Sequence, residues 1–255
     1  MQAPQDTPDL HRVCQELDLA CLPEQAAALE RYVALYMAWN QRMNLSAVQS
    51  EASVWTQHVA DCLAMVPLIA RLTRSAGEHR DGRAITLLDA GTGAGLPAII
   101  LSLWMPALRV LAVDKVAKKL AFVRQAAALL SLRGLHAVHA RLEDLRLPLQ
   151  QSPPLPGGQA QQQRVPAGFL PAQGVDLIVC RAFSSLATLV ECSAHLLHRE
   201  GVWLAMKGRY PREELEALAK GRPEIQARVE MLEVPGLGKE RCAVHMACRP
   251  LGKPG

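Results

Sequence analysis

The sequence predicts an α/β fold: a largely parallel sheet flanked by helices, behind an N-terminal helical region. Three observations carry this. Residues 9–72 hold apolar positions at helical spacing. From Ile85 onward short apolar runs alternate with helix-length amphipathic ones. A cluster of glycines, Gly91, Gly93 and Gly95, separates the first such run from the helix after it. Alternating strands and helices imply parallel strands joined by right-handed crossovers.

Along the N-terminal region, Pro23 opens a run in which Ala27, Leu29, Val33, Leu35 and Tyr36 recur at helical spacing. WNQRMNLSAV breaks that run, with Asn44 as its stop. EASVWTQHVADCLAMVPLI resumes it, and the polar 74–82 stretch reads as a connector. The first unit therefore spans 1–84 and the second 85–250, with a tail over 251–255.

In the second unit ITLLDA suits a buried parallel strand. Leu96–Met105 suits a helix that tolerates Pro97 in its first turn. Strands are expected over 108–114, 135–140, 175–182 and 201–208, and helices over 115–132 and 185–197. Two closing strands around 225–234 and 242–248 make seven. The 147–174 stretch, dense in Pro, Gln and Gly, reads as a long mobile insert.

Half of the 255 residues are hydrophobic and 20% are charged, which allows a large core and excludes global disorder. The net charge is +4, unevenly spread. Residues 1–84 hold seven Lys+Arg against ten Asp+Glu; the remainder holds 21 against 14. The basic second part fits a polyanionic partner, or an ordinary solvated surface. The seven cysteines are scattered without a CxxC, against a disulfide framework or zinc site and for a reducing compartment. No secretory leader is read in MQAPQDTPDL, and the longest apolar stretch is too short and too broken by prolines to span a membrane. The expectation is a cytoplasmic monomer that uses no metal.

The glycine turn brings backbone close to a ligand, because glycine has no Cβ and accepts positive φ. A dinucleotide loop wants GxGxxG, and here the third position is Leu96. A phosphate loop wants GxxxxGK followed by Ser or Thr, and that is absent. What stands is DxGxGxG, Asp89 to Gly95, which suits S-adenosylmethionine. Asp89 at the first strand end faces a cationic amino group, and Asp114 at the second strand end suits two ribose hydroxyls. Asp114 alone reads equally as a helix cap.

Four blocks then resemble the RsmG (GidB) family of bacterial 16S rRNA methyltransferases. WNQRMNL is similar to its WNxxxNLT region, with Ser46 where Thr is usual. QHVADCL resembles RHxxDSL, with Gln57 for Arg and Cys62 for Ser. LLDAGTGAGLPAIILSL resembles its glycine block, with Ala94 and Ala98 at positions often Pro and Gly. VCRAFSSLATLVE followed by WLAMKG resembles its RA and KG pair. The resemblance implies a Rossmann-like class I S-adenosylmethionine-dependent methyltransferase with a largely parallel seven-stranded sheet. It implies methylation of a guanine N7 in the 530 loop of 16S rRNA, alone or in the small ribosomal subunit. It also implies cofactor contacts at Gly91, Leu96, Leu142, Glu143 and Arg181.

Guanine N7 has an in-plane lone pair and no proton to lose, so positioning matters more than a general base. An exocyclic-amine methyltransferase places acceptors after the fourth strand. Here Arg181 stands there, and arginine only donates. Arg181 is expected to hold cofactor, guanine or phosphate, or to be a structural ion pair. Cys180 reads as a buried small side chain or as the nucleophile of pyrimidine C5 methylation. Phe183 stacks on a base or packs in the core. Lys207 reaches RNA phosphate, or snorkels at the sheet edge. Lys118, Lys119, Arg124, Arg209, Arg212 and Arg241 are further RNA candidates. His58 and Asp61, three apart on a helix, bond each other or form a helix-to-domain contact. Two other readings stand beside the enzyme: a non-catalytic RNA- or ribosome-binding protein of this fold, and a small-molecule methyltransferase.

Overall fold

The computed structural model describes residues 9–75, 83–147, 165 and 169–248. Most of the Pro/Gln/Gly insert and the 251–255 tail lie outside the described residues.

The N-terminal region is a chain of helices: α1 (Leu10–Glu16), α2 (Pro23–Met43), α3 (Glu51–Val54), a π-helical turn (Trp55–Ala60), α4 (Asp61–Leu63) and α5 (Val66–Ser75). Pro23 occupies the first helical position of α2, where its missing N–H costs nothing. The Gln25 carboxamide oxygen accepts from Leu22 N–H at 2.9 Å. Asn44 ends α2 in the left-handed region, φ 47°, as the stop signal anticipates.

The second unit runs β1 (Thr86–Ala90), α6 (Ala98–Trp104), β2 (Arg109–Asp114), α7 (Ala117–Leu129), β3 (Leu135–His139), β4 (Val175–Arg181), α8 (Leu186–Ser193), β5 (Leu197–Lys207), α9 (Arg212–Gly221), β6 (Gln226–Met231) and β7 (Cys242–Ala247). The strands form one seven-stranded sheet in the order β3-β2-β1-β4-β5-β7-β6. The five strands from β3 to β5 are parallel, and β7 runs antiparallel to both β5 and β6.

Three boundaries differ from the sequence reading. Pro97 caps α6 from outside instead of sitting in its first turn. The 185–197 helix ends at Ser193 and tightens into a 3₁₀ turn, Ala194–Leu196. That turn releases Leu197 into β5 four residues before the expected start. Apolar content alone does not separate a helix end from a strand start.

Alternation along β1 sorts the core. Leu87 faces one layer with Val110, Val179 and Met206; Leu88 faces the other with Leu111, Ile178 and Trp203. The first layer is shared with the N-terminal helices through Leu29, Tyr32, Val33, Leu63 and Ile69. The second is covered by Leu186, Leu189 and Val190 of α8 and Leu218 of α9. Polar ties bind the N-terminal helices to this frame. Tyr32 Oη donates to Ala94 O at 2.9 Å, Gln25 Nε2 to Leu103 O at 3.1 Å, and Trp39 Nε1 to Gln125 Oε1 at 3.1 Å. The first of these fastens α2 to the glycine turn.

Candidate active site

In an open parallel sheet, ligands meet the carboxyl ends of the strands. β1, β2, β4 and β5 bring Asp89, Asp114, Arg181 and Lys207 to that edge. Directly after β1, Gly91, Gly93 and Gly95 all have positive φ, 69°, 57° and 77°.

Two of these glycines have different reasons to be glycine. A Cβ on Gly93 would meet only Gly91 O, at 3.9 Å, so its empty side leaves room for a ligand. A Cβ on Gly95 would lie 2.5 Å from Ile99 Cδ1 and 3.3 Å from Val123 Cγ2. Gly95 therefore also serves the close packing of the turn on α6 and α7.

The two acids hold the turn in shape. Asp89 is fully buried; its Oδ2 accepts from Thr92 Oγ1 at 2.6 Å and from Ala98 N–H at 3.1 Å. Its Oδ1 is buried with no hydrogen-bond partner among the described residues. Burial pushes the Asp89 carboxyl up to about 6, against the pull of Thr92, Ala98 and the Arg181 guanidinium. Asp114 accepts Gly93 N–H on Oδ2 at 2.9 Å and Val116 N–H on Oδ1 at 2.8 Å. It thus ties the glycine turn to the start of α7, which Val116 caps. Leu96 and Leu142 are buried beside this edge, whereas Glu143 is exposed and accepts from Cys192 Sγ at 3.4 Å.

Arg181 ends β4 and turns towards the N-terminal helices. Its Nη1 donates to Gln57 O at 2.9 Å and to His58 Nδ1 at 3.0 Å, and it reaches Asp61 Oδ2 at 3.3 Å. Asp61 Oδ1 receives Arg241 Nε at 2.7 Å. One carboxylate, 4% exposed, thus joins two guanidiniums, one from the end of β4 and one from the residue before β7. His58 and Asp61 do not bond each other; each meets Arg181, which is the helix-to-domain contact. Burial, then the Arg181 charge, pushes the His58 ring down to about 4. Ring Nδ1 lies 2.9 Å from Gln57 O as well as 3.0 Å from Arg181 Nη1, and Nε2 lies 3.2 Å from Ser46 Oγ, which the neutral ring meets as donor or acceptor according to its tautomer. Ser46 Oγ also meets Tyr36 Oη at 2.5 Å and accepts Val48 N–H at 3.0 Å. Asn40 closes the same loop, accepting Ser46 N–H at 2.9 Å and donating to Val48 O at 2.7 Å. The WN, HxxD and RA blocks are therefore one connected polar network.

Several expectations change here. Lys207 does not stand free for phosphate: its Nζ pairs with Glu214 Oε2 at 2.8 Å, and its side chain is 12% exposed. Glu214 Oε2 also accepts Leu186 N–H at 2.8 Å, so this pair clamps α9 to the start of α8. Arg241, expected on RNA, is committed to Asp61. Cys180 is buried and its thiol is pushed up to about 12, chiefly by desolvation, which removes the nucleophile reading. Phe183 is half-buried and lies 3.6 Å from where a Gly91 Cβ would stand, so it packs over the turn. Lys118 and Arg124 are exposed but lean on backbone, to Met43 O at 3.4 Å and Ala137 O at 3.3 Å. Lys119 is half-buried, and Arg209 and Arg212 are exposed. The helix-to-domain contact expected of Asp61 is present, with partners the sequence does not name, and Glu214 is not singled out by the sequence. HxxD marks Asp61, but nothing local names partners 120 and 180 residues away.

Among the described residues no group of three or more His, Cys, Asp or Glu is placed to hold a metal, and no helix is long and apolar enough to cross a membrane. The strand order, the glycine turn leaving β1 and the acid ending β2 together define a class I S-adenosylmethionine-dependent methyltransferase fold. A family model described as "GidB: rRNA small subunit methyltransferase G" matches residues 25–244, and the chain belongs to that family. A "Ribosomal RNA small subunit methyltransferase G" of Paracidovorax citrulli is 40% identical over 227 residues, 87% of this chain and 81% of the relative. The protein of the same name from Polaromonas sp. strain JS666 is 36% identical over 242 residues, 94% and 93% of the two chains. Among solved structures, a predicted O-methyltransferase from Agrobacterium tumefaciens superposes with TM-score 0.48 at 16% identity, over 73% of this chain and 79% of that one; so distant a likeness carries no argument.

Proposed function

We propose that the protein transfers a methyl group from S-adenosylmethionine to N7 of a guanine in the 530 loop of 16S rRNA. It acts in the cytoplasm as a monomer, on the RNA or the small ribosomal subunit. The residues at the sheet edge fit the cofactor. Asp89 Oδ1 is a buried acceptor in want of a donor, which suits a cationic amino group reached through water. The open side of Gly93 and the carboxylate of Asp114 suit a ribose, and Leu96, Leu142 and Glu143 border an adenine. When bound, the cofactor supplies a methyl carbon activated by its sulfonium.

The observation that carries the choice of N7 is the state of the acid–base groups at this edge. Asp61 is held by two guanidiniums, Asp114 by two backbone N–H groups, and His58 is a neutral ring already bonded on both sides. Arg181 can only donate. Asp89 Oδ1, the open acceptor of this edge, ends β1 and goes to the cofactor's amino group, so after β4, where an amine methyltransferase needs an acceptor, the chain offers a donor. N7 needs none: its lone pair forms the new C–N bond as the C–S bond breaks, and no proton moves. Arg181, tied to Gln57, His58 and Asp61, braces the edge and lends it positive charge that Asp89 feels.

The test is transfer of isotope-labelled methyl from S-adenosylmethionine to 16S rRNA, or small subunits, from cells lacking this gene. Label released as 7-methylguanine on digestion is the expected result. Label on another base, or none with cofactor bound by calorimetry, refutes the assignment.

A further inference from the structure

We propose that Tyr210, with Arg209 and Arg212, is a stacking platform for an unpaired base of the substrate RNA next to the target nucleotide. This deepens the rRNA methyltransferase reading and rests on it.

Tyr210 stands out by burial. Tyr32, Tyr36, Phe122 and Trp203 are at most 1% exposed, whereas Tyr210 is 52% exposed. A single exposed apolar side chain needs no explanation by itself. Its setting does. Tyr210 lies on the segment that leaves β5 at the carboxyl edge of the sheet, three residues past Lys207. The segment is fastened on both sides of the ring. Arg209 O accepts from Cys242 Sγ at 3.3 Å, Arg212 N–H donates to Tyr210 O at 3.1 Å, and Pro211 is buried. The ring is therefore presented by held backbone.

The segment is also geared to the site. Glu214 joins Lys207, at the end of β5, to Leu186, at the start of α8. The loop between β4 and α8 carries Phe183, which packs over Gly91. On the other side, Arg241 Nη1 lies 3.7 Å from where a Gly208 Cβ would stand, while Arg241 Nε holds Asp61. Tyr210 thus follows Lys207 and Gly208 on the chain leaving the sheet edge that carries the glycine turn.

The charge fits the same occupant. Arg209 and Arg212 stand on either side of Tyr210 in the sequence, are exposed, and have no ion-pair partner among the described residues. Of the two acids in the first turn of α9, Glu214 is spent on Lys207; Glu213 remains as an offset to the two arginines. An exposed aromatic between two cations is the chemistry of single-stranded RNA binding: the ring takes a base face and the cations take phosphates.

The test compares Tyr210→Ala, Tyr210→Phe and the Arg209→Ala/Arg212→Ala double variant, using the full chain and unmodified 16S rRNA. Tyr210→Ala is expected to raise KM for RNA about tenfold, with kcat and the Kd for S-adenosylmethionine unchanged. Tyr210→Phe keeps the ring face and is expected to behave as wild type. The double variant is expected to reduce the slope of log affinity against log salt by about one per arginine. Normal KM for Tyr210→Ala, or loss in Tyr210→Phe equal to that in Tyr210→Ala, overturns the platform. A wild-type protein that methylates no RNA overturns the underlying reading as well. Wild-type activity with an unaffected Tyr210→Ala overturns the platform alone.

Discussion

Replacing Asp89 by Asn separates two opposing contributions to stability that cancel in the wild-type protein. Asp89 has its carboxyl raised from 3.8 to about 6 by burial. The folded state then holds a proton that the unfolded chain has released, so this residue's contribution is present below pH 4 and lost as pH rises through 6. The span corresponds to about 3 kcal/mol. His58 has its ring lowered from 6.5 to about 4 by burial and by Arg181. Its contribution runs the other way, present above pH 6.5 and lost as pH falls through 4, and is also about 3 kcal/mol. From these two groups the wild-type profile between pH 4 and 7 is close to level. Asp89→Asn removes only the first. Its carboxamide oxygen still accepts from Thr92 and Ala98, so the turn keeps its shape. Urea unfolding of both proteins across this range, without cofactor, is the assay. The stability of the variant relative to wild type should grow by about 3 kcal/mol from pH 4 to 7, since other carboxylates titrate equally in both. A difference that does not change with pH refutes the buried, unpartnered state of Asp89.

Four further outcomes follow from the same geometry. The Asp89→Asn protein at pH 7.5 should bind S-adenosylmethionine about tenfold more weakly by calorimetry, the worth of one charge-assisted hydrogen bond; unchanged affinity removes Asp89 from the cofactor site. Asp61→Ala should cost about 3 kcal/mol in urea unfolding, because it leaves the Arg181 and Arg241 guanidiniums without their shared carboxylate; a loss below about 1 kcal/mol contradicts the clamp. Gly95→Ala should cost about 2–4 kcal/mol, from a left-handed φ plus the collision with Ile99, and near-normal stability would show that α6 yields. Cys180→Ala should retain methyl transfer, whereas abolished turnover with the fold intact would restore a covalent route.

The sheet was legible because its signals are local. Five buried parallel strands read as short apolar runs, Asn44 marked the end of α2, and the glycine cluster marked the first crossover. The acids at the ends of β1 and β2 were found from spacing alone. Their hydrogen bonds within the turn were not, since Thr92, Ala98, Gly93 and Val116 become partners only when the turn closes. The HxxD and RA blocks were visible as motifs, but not that they touch, because Arg181 and Asp61 lie in different units. The acidic partners of Lys207 and Arg241 were hidden for the same reason. A lysine or arginine looks free in a sequence until its carboxylate, here Glu214 or Asp61, arrives from another element. Tyr210 carries no periodic signal at all; only its exposure in the folded chain sets it apart.

The central claim is that this sheet edge, closed by Asp89 and Asp114 and braced by Arg181, methylates one guanine of 16S rRNA at N7. The most direct measurement is mass mapping of 16S rRNA from cells with the gene, without it, and with a plasmid copy. The account predicts 7-methylguanine in the 530 loop in the first and third and unmodified guanine in the second. An identical modification pattern in all three, or a change confined to another base, contradicts it.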